Sequence, residues 1–230
     1  MKQQELLRYL AKIIVNIKQF HPIRVGIDGV DASGKTTLAN ELAEELKSYN
    51  RQIIRVSIDG FHNSKEIRYK KGRDSPEGYY FDSFNNQAII ENVLKPLSLN
   101  GDLHYTKAVF DFKTEAKVIV PTEQANMNAI LLMDGVFLFR PELVNYWDIK
   151  IFLDVDFKIT LQRALKRDGY YLGSEQQIIE KYNQRYVPGQ RLYFRDANPK
   201  EMADFVIDNN DFNNPLIKKE SMISSDKEMP

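Results

Sequence analysis

The chain has 230 residues, which is enough for one large domain or for a domain with a lid. Its 32 lysine and arginine residues balance its 32 aspartate and glutamate residues, which argues against a nucleic-acid-binding surface and against an acidic tail. The absence of cysteine excludes disulfide bonds, thiolate chemistry and a cysteine-based zinc site.

The first element in chain order is an amphipathic helix, predicted over residues 1–20. Leucine and isoleucine recur there at helical spacing, but Arg8, Lys12 and Lys18 interrupt the apolar run. These charges argue against a signal peptide and against a membrane-spanning segment. We therefore expect a helix that packs against the domain, with a membrane-surface helix as the weaker alternative. Because no export signal is visible, we expect a cytoplasmic protein.

A phosphate-binding loop is the most informative motif. Residues 29–36 (GVDASGKT) fit the pattern G-x-x-x-x-G-K-[ST], between an apolar run that predicts a buried strand and a run of helical spacing. Two glycines allow backbone angles that direct several N–H groups at one phosphate chain. Lys35 would reach the terminal phosphates, and Thr36 would bind Mg²⁺. The sequence predicts a site for ATP, with GTP as the alternative, formed by Gly29, Asp31, Ala32, Ser33, Gly34, Lys35, Thr36 and Thr37.

A second strand is predicted over residues 52–59 and ends in Asp59. In a fold of this kind we expect it to lie beside the first strand, which would turn Asp59 toward the γ-phosphate. A carboxylate there can accept the proton of an attacking hydroxyl. Asp59 and Gly60 could instead form only a turn at the strand end. The segment 60–80 that follows is long and charged, and such loops inside a domain are usually functional.

Strands and helices alternate along the rest of the chain. This alternation predicts an α/β fold with a doubly wound, mostly parallel sheet and flanking helices. Residues 104–121 alternate polar and apolar side chains in two runs, which predicts a small β-hairpin excursion. We expect one domain over residues 1–212, with a helical lid near 160–190, and a flexible tail over 213–230. The other predicted elements are a helix at 83–94, strands at 129–134, 149–155 and 205–207, and helices at 157–167 and 176–185.

Two further groups of charged residues fit phosphoryl transfer. Asp134 follows four apolar residues, the pattern of a Walker B strand whose acid steers Mg²⁺. Arg163 and Arg167 lie four residues apart and share a helix face, so from a lid they could neutralise charge on the transferring phosphate. Two arginines on a helix are usually exposed to solvent, so this catalytic role depends on the presence of the phosphate-binding loop.

Three more segments give the chain a resemblance to a known family. They are SIDGFH at residues 57–62, GRDSPEGYYFDSF at 72–84 and MDG at 133–135. Together with the phosphate-binding loop they resemble the uridine kinase group of P-loop kinases, within a superfamily that includes phosphoribulokinase and pantothenate kinase. The resemblance covers nearly the whole domain. It implies Mg²⁺-dependent transfer of the ATP γ-phosphate to a hydroxyl of a small molecule.

The resemblance also assigns roles by position. Asp59 matches the catalytic aspartate of the family, and Asp82 matches an aspartate that binds the substrate ribose. Asp134 occupies the position at which uridine–cytidine kinases have a metal-associated glutamate. Residues 110–112 are similar to a Tyr-Asp-Phe segment of the nucleoside pocket, with Phe in place of Tyr. Glu115 stands where these kinases place a base-contacting histidine, and a glutamate accepts hydrogen bonds instead of donating them. The expected acceptor site comprises Asp82, His62, Arg73, Tyr79, Phe110 and Glu115.

The identity of the acceptor stays open at this point. Uridine or cytidine is the leading prediction, while pantothenate, nicotinamide riboside and sugars are alternatives because parts of segment 59–77 also resemble pantothenate kinase. A regulatory nucleotide-binding NTPase without a small acceptor is the alternative from another class. We expect neither nucleic acid nor membrane as a partner. Homo-oligomers occur among the relatives that the chain resembles, so the oligomeric state is open.

Overall fold

A central β-sheet organises the chain. The computed structural model describes residues 1–168 and 174–221. The strands are β1 (Ile23–Gly29), β2 (Ile53–Ser57), β3 (His104–Tyr105), β4 (Phe110–Asp111), β5 (Ala116–Lys117), β6 (Glu123–Gln124), β7 (Ile130–Asp134), β8 (Ile149–Asp154), β9 (Phe205–Asp208) and β10 (Leu216–Glu220). The helices are α1 (Gln3–Asn16), α2 (Lys35–Leu46), α3 (Lys65–Arg68), α4 (Pro76–Asp82), α5 (Asn86–Ile89), α6 (Phe157–Asp168), α7 (Glu175–Lys181), α8 (Val187–Ala197) and α9 (Pro199–Met202). Turns of 3₁₀ helix occur at Lys47–Tyr49, Ile58–Phe61 and Val144–Tyr146, and turns of π-helix at Ile90–Leu94 and Tyr182–Tyr186.

Six strands form the main sheet, in the order β10–β9–β8–β1–β7–β2. The pairs within β9–β8–β1–β7–β2 are parallel, and β10 runs antiparallel to β9. Helices cover both faces of this sheet, and two apolar clusters fill the space between. The predicted α/β fold with a mostly parallel, doubly wound sheet is therefore confirmed.

The position of β2 differs from the prediction. β1 pairs with β7 and β8, and β2 pairs with β7, so the expectation that the second strand lies beside the first is wrong. Every residue of β7 is buried, as suits a strand with a neighbour on each side. β2 alternates between buried and partly exposed residues, as an edge strand does. Since parallel strands end at one edge of a sheet, the residues after β2 still meet those after β1 and β7.

The alternation of side chains along β7 separates the two apolar clusters. Ile130 and Leu132 face the cluster that contains α1 and α2, while Leu131 and Met133 face the cluster that contains α4 and α8. The helix α1 buries its leucine and isoleucine face in the first of these clusters. The second cluster is rich in aromatic residues and lies beneath the segment that connects β2 to β3.

Two short ladders interrupt the alternation of strands and helices between α5 and β7. β4 pairs antiparallel with β5, and β3 pairs antiparallel with β6. The predicted hairpin excursion is therefore present. The long segment at 60–80 is more ordered than its sequence suggested, because it contains α3 and the start of α4. Pro76 at the start of α4 and the Ser75 side chain, which accepts from the Gly78 N–H, explain where that helix begins.

The predicted tail is partly structured. Residues 216–220 form β10, so the expectation of a flexible segment is wrong for these residues, and residues 222–230 lie outside the described part. β10 pairs with an edge that β9 would otherwise leave open, and Ile217 packs against the first apolar cluster. Its sequence, LIKKE, is too polar to predict a strand.

The region predicted to be a lid is described as α6, α7 and the π-helical turn at Tyr182–Tyr186. Ala164, Ile178 and Tyr182 form a small apolar cluster between these elements. Residues 169–173, which make up most of the predicted connection, lie outside the described residues. Across the ranges 1–168 and 174–221, no helix combines the length and apolar character needed to cross a bilayer.

Candidate active site

The phosphate-binding loop connects β1 to α2. Gly29 has a φ of +154° and Gly34 a φ of +96°, conformations that side chains rarely adopt. A Cβ at Gly29 would lie 2.7 Å from the carbonyl oxygen of Leu153, so close packing against β8 also requires glycine. The buried Oγ of Ser33 has no hydrogen-bond partner, and the first N–H groups of α2 have none within the helix. The loop thus offers the free donors that a phosphate group needs.

A cavity of about 910 Å³ opens at the carboxyl edge of the sheet, next to this loop. Four residues of the predicted nucleotide site line it, and so do Asp59, His62, Tyr79, Asp134 and Arg167. Thr37 is exposed on the first turn of α2. The described residues that line the cavity are Asp31, Ala32, Lys35, Thr36, Ser57, Ile58, Asp59, His62, Tyr79, Phe84, Phe112, Lys113, Asp134, Gly135, Val136, Arg167, Tyr182 and Tyr186.

Lys35 is almost buried at the floor of the cavity. Its Nζ donates a hydrogen bond of 2.7 Å to the carbonyl oxygen of Val30 within the loop. Burial lowers the pKa of Lys35, and the negative charges of Asp31 and Asp28 oppose this shift. A phosphate group in the loop would add negative charge beside a cation that burial has deprived of hydration. The charge balance around Lys35 therefore fits a phosphate ligand.

Thr36 and Asp134 lie together between the loop and β7. The Oγ1 of Thr36 donates to Oδ2 of Asp134 at 2.6 Å, and Arg55 donates from Nη2 to Oδ1 of the same carboxylate at 2.7 Å. Hydroxyl and carboxylate oxygens are ligands that Mg²⁺ prefers, so the residues fit this ion. Within residues 1–168 and 174–221, no group of three or more His, Asp or Glu side chains could hold a metal. Mg²⁺ usually takes one or two protein oxygens and completes its coordination with water and substrate phosphates, which suits a pair such as Thr36 and Asp134.

Asp59 lies in the 3₁₀ turn after β2 and lines the same cavity. The cavity removes part of its hydration, which raises the pKa of Asp59, and the negative charges of Asp134 and Asp31 raise it further. The positive charges of Lys35 and Arg167 oppose the shift. A carboxylate with a raised pKa is a stronger acceptor of protons, which is the property a general base requires.

Aromatic side chains form one part of the cavity lining, called here the aromatic wall. His62 stacks on Phe112, with ring centroids 4.9 Å apart, and meets Phe84 edge-on at 4.5 Å. Burial lowers the pKa of His62 to about 4, and the nearby charge of Arg68 contributes, so the imidazole is neutral at pH 7. This part of the cavity therefore presents flat and uncharged side chains.

Tyr79 joins this wall to the phosphate-binding loop. Its hydroxyl donates to Oδ2 of Asp31 at 2.6 Å, and Nε2 of Gln190 donates to the same oxygen at 2.9 Å. α4, α8 and the loop are thus tied together at one carboxylate. Gly189 permits this packing, because a Cβ there would lie 2.7 Å from the ring of Tyr79.

Four of the expected acceptor residues are not part of the cavity wall that the described residues form. Asp82 pairs with Lys71 at 2.8 Å, and Glu115 pairs with Arg68. Phe110 is buried in the short ladder of β4 and β5, and Arg73 is exposed. The placement of Glu115 could not be predicted from the sequence, because it depends on Arg68, a partner far away in the chain.

Arg163, predicted to be catalytic, is not among the described residues that line the cavity. Its guanidinium donates to the carbonyl oxygens of Asn209 and Asn210 at 2.7 and 3.0 Å, with a longer contact to Ser33 at 3.4 Å. Carbonyl groups of two loops surround it, so it holds the phosphate-binding loop against the segment after β9. Arg167, one turn further along α6, does line the cavity.

Sequence reasoning missed a buried carboxylate beneath the loop. Asp28, at the end of β1, accepts hydrogen bonds from the N–H groups of Gly29 and Phe139, at 2.6 and 3.1 Å, and from the hydroxyl of Tyr193. Burial raises the pKa of Asp28 to about 6, although these donors and Lys35 oppose the shift. The sequence did contain a sign of this buried carboxylate, because Asp28 is an acidic residue inside an otherwise apolar run.

A buried arginine was also missed. Arg185, in the π-helical turn, donates to the carbonyl oxygens of Arg73 at 2.9 Å and Ser75 at 3.1 Å, with longer contacts to those of Gly72 and Arg68. Arg185 therefore holds the segment between α3 and α4 against the start of α8. Nothing in the local sequence distinguishes it from an exposed helix arginine.

Comparisons with known proteins agree with this geometry. The model of the phosphoribulokinase/uridine kinase family matches residues 24–211. The chain is 30% identical over 193 residues to the uridine kinase of Clostridium novyi (strain NT), covering 81% of this chain and 86% of that protein. It is 26% identical over 196 residues to uridine kinase-like protein 3 of Arabidopsis thaliana, covering 81% of this chain. The chain spans only 39% of the length of that plant relative.

A solved structure, described as a possible uridine kinase from Bacillus stearothermophilus, has the same fold. It matches with a TM-score of 0.71 and 23% identity, over 88% of this chain and 97% of that one.

Proposed function

Because this chain belongs to the phosphoribulokinase/uridine kinase family, we propose that it is an ATP- and Mg²⁺-dependent kinase that phosphorylates the 5′-hydroxyl of uridine or cytidine. One observation carries the proposal. Lys35, the pair of Thr36 and Asp134, and the carboxylate of Asp59 all line a single cavity at the carboxyl edge of the sheet. These are the groups that phosphoryl transfer to a hydroxyl requires.

On the phosphate side, the amides of the loop and Lys35 bind the phosphate chain, and Arg167 faces the same space. Thr36 and Asp134 would hold Mg²⁺, which would supply positive charge to offset that of the phosphates. The buried ammonium of Lys35 acts strongly on a phosphate because little water screens it.

On the acceptor side, Asp59 accepts the proton of the attacking hydroxyl. Its raised pKa follows from the cavity and from two neighbouring carboxylates, so the charges of the site favour proton uptake. The neutral ring of His62, with Phe112 and Phe84, offers a surface on which a pyrimidine base can stack. Relatives named as uridine kinases support the same acceptor.

A different small acceptor is the second candidate, and two ion pairs favour it. Asp82, the residue expected to bind ribose, is engaged by Lys71, and Glu115, expected at the base, is engaged by Arg68. A nucleoside would have to break both pairs or be recognised by other groups. Pantothenate, which has neither a ribose nor a base, would not require either residue, and a sugar has no base for Glu115 to contact. Nicotinamide riboside has a ribose and would meet the same ion pair at Asp82.

A coupled assay of ADP release with Mg-ATP tests the proposal against a panel of these acceptors. Strong stimulation by uridine or cytidine supports the pyrimidine assignment, and stimulation by another compound reassigns the acceptor. ATP hydrolysis that ignores every acceptor would contradict the kinase proposal and favour a regulatory NTPase.

The variant Asp59→Asn should keep its affinity for ATP but lose turnover by about 10²–10⁴-fold, the usual contribution of a general base. Asp196→Asn, which changes an exposed aspartate on α8, is the matched control and should behave as the wild type. Near-normal turnover in Asp59→Asn would remove Asp59 from the base role.

A further inference from the structure

The side chain of Arg55, on β2, contacts both Asp134 on β7 and Asn40 on α2. Besides its bond to Oδ1 of Asp134, the guanidinium donates from Nη1 to the carbonyl oxygen of Leu132 at 2.6 Å. Nε and Nη2 also reach Oδ1 of Asn40 on α2, at 3.2 and 3.1 Å. These contacts fix the plane of the guanidinium between β2, β7 and α2.

The two oxygens of Asp134 are consequently divided between two partners. Oδ1 faces Arg55, and Oδ2 faces Thr36 at the edge of the cavity. The side chain of Asp134 is only 3% exposed, so water compensates little of its charge, and Arg55 supplies the counter-charge. A carboxylate that already has a cationic partner attracts a second cation less strongly.

We propose that Arg55 is a positioning residue that makes metal binding depend on the nucleotide. It compensates Asp134 in the nucleotide-free protein and leaves Oδ2 as the oxygen beside Thr36. A divalent cation is then held well only when the phosphates add their own negative charge and ligands. The inference rests on the proposed nucleotide site and is independent of the acceptor.

Two binding measurements test this role, and neither requires turnover. The first is the affinity of Mn²⁺ for the nucleotide-free protein, measured by calorimetry. The second is the affinity of a non-hydrolysable ATP analogue with and without Mg²⁺. Arg55→Met should bind Mn²⁺ about tenfold more tightly than the wild type in the absence of nucleotide. Because coupling between two ligands is reciprocal, Mg²⁺ should then improve the affinity of Arg55→Met for the analogue by a factor about tenfold smaller than in the wild type, a size usual for coupled sites.

Two further variants separate charge from structure. Arg55→Lys keeps the positive charge and should restore most of the wild-type behaviour. Arg24→Met is the matched control, because it breaks another shielded arginine–aspartate pair. Arg24 and Asp148 lie 3.2 Å apart near the amino ends of β1 and β8. Arg24→Met should leave both affinities unchanged.

Equal Mn²⁺ affinity in the wild type and in Arg55→Met would overturn the proposal and leave the pair as a structural contact. If Arg55→Met does not fold, Arg55→Gln replaces it, because the amide can still donate to Asp134 while the charge is removed. An acceptor panel without any response would refute the proposed function, but the Mn²⁺ measurement would still decide the role of Arg55.

Discussion

The buried carboxyl group of Asp28 should make the stability of the protein depend on pH, and Asp28→Asn tests this directly. Burial raises the pKa of Asp28 from 3.8 to about 6, so between these values the folded protein binds more protons than the unfolded chain. The contribution of this group to stability is fully present below about pH 4 and is lost as the pH rises through about 6. At 1.36 kcal/mol for each pH unit, the loss amounts to about 3 kcal/mol.

Urea unfolding of the wild type and of Asp28→Asn between pH 4 and pH 7.5 measures this loss. Asparagine does not titrate, so the difference between the two free energies of unfolding removes the contribution of every other ionisable group. We expect the wild type to lose about 2.5 kcal/mol relative to the variant across this range, because a small part of the total is already lost at pH 4. The offset at pH 4 reflects the hydrogen bonds that asparagine cannot accept and is not part of the test.

Tyr193→Phe is a companion variant. The tyrosine hydroxyl donates to Asp28 and favours its ionised form, so its removal should raise the pKa of Asp28 and extend the loss of stability to higher pH. A difference between wild type and Asp28→Asn that stays constant from pH 4 to pH 7.5 would refute the reasoning.

Three further predictions concern two residues that line the cavity and the buried Arg185. Tyr79→Phe removes one donor to Asp31 and should lower kcat/KM by about three- to tenfold, the value of one hydrogen bond; unchanged steady-state kinetics would contradict it. Arg185→Met leaves several carbonyl groups without their donor and should lower the free energy of unfolding by about 3 kcal/mol, while the exposed control Arg195→Met stays near zero in urea unfolding. Phe112→Ala should raise KM for a stacked acceptor by about tenfold and leave KM for ATP unchanged, and equal effects on both would argue against stacking.

The phosphate-binding loop and the main strands could be predicted because their information is local. The glycines at 29 and 34 and the apolar runs before the loop and before Asp134 specify backbone conformation within a few residues. Strand order is different in kind. β7 pairs with both β1 and β2, and no residue near Asp59 encodes that arrangement.

The acceptor side was less predictable because it depends on partners that are distant in sequence. Glu115 is 47 residues from Arg68, and this ion pair takes it away from the expected role at a base. Arg163 shares a helix face with Arg167, yet its guanidinium donates hydrogen bonds to carbonyl groups of the loop after β9. Arg55 did carry a signal, since a charged residue interrupts an otherwise apolar strand, but its partner could not be identified from spacing.

The placement of β7 between β1 and β2 limits where the sequence can be altered to accommodate a different acceptor. The phosphate-binding loop and Asp59 follow β1 and β2, which lie two positions apart in the sheet, so backbone hydrogen bonds set these two strands about 10 Å apart. The aromatic wall, in contrast, is formed by the side chains of His62, Phe84 and Phe112, which lie outside the strands of the main sheet. Redesign toward a new acceptor should therefore be confined to that wall, where substitutions alter the fit of the acceptor and leave the spacing of β1 and β2 unchanged.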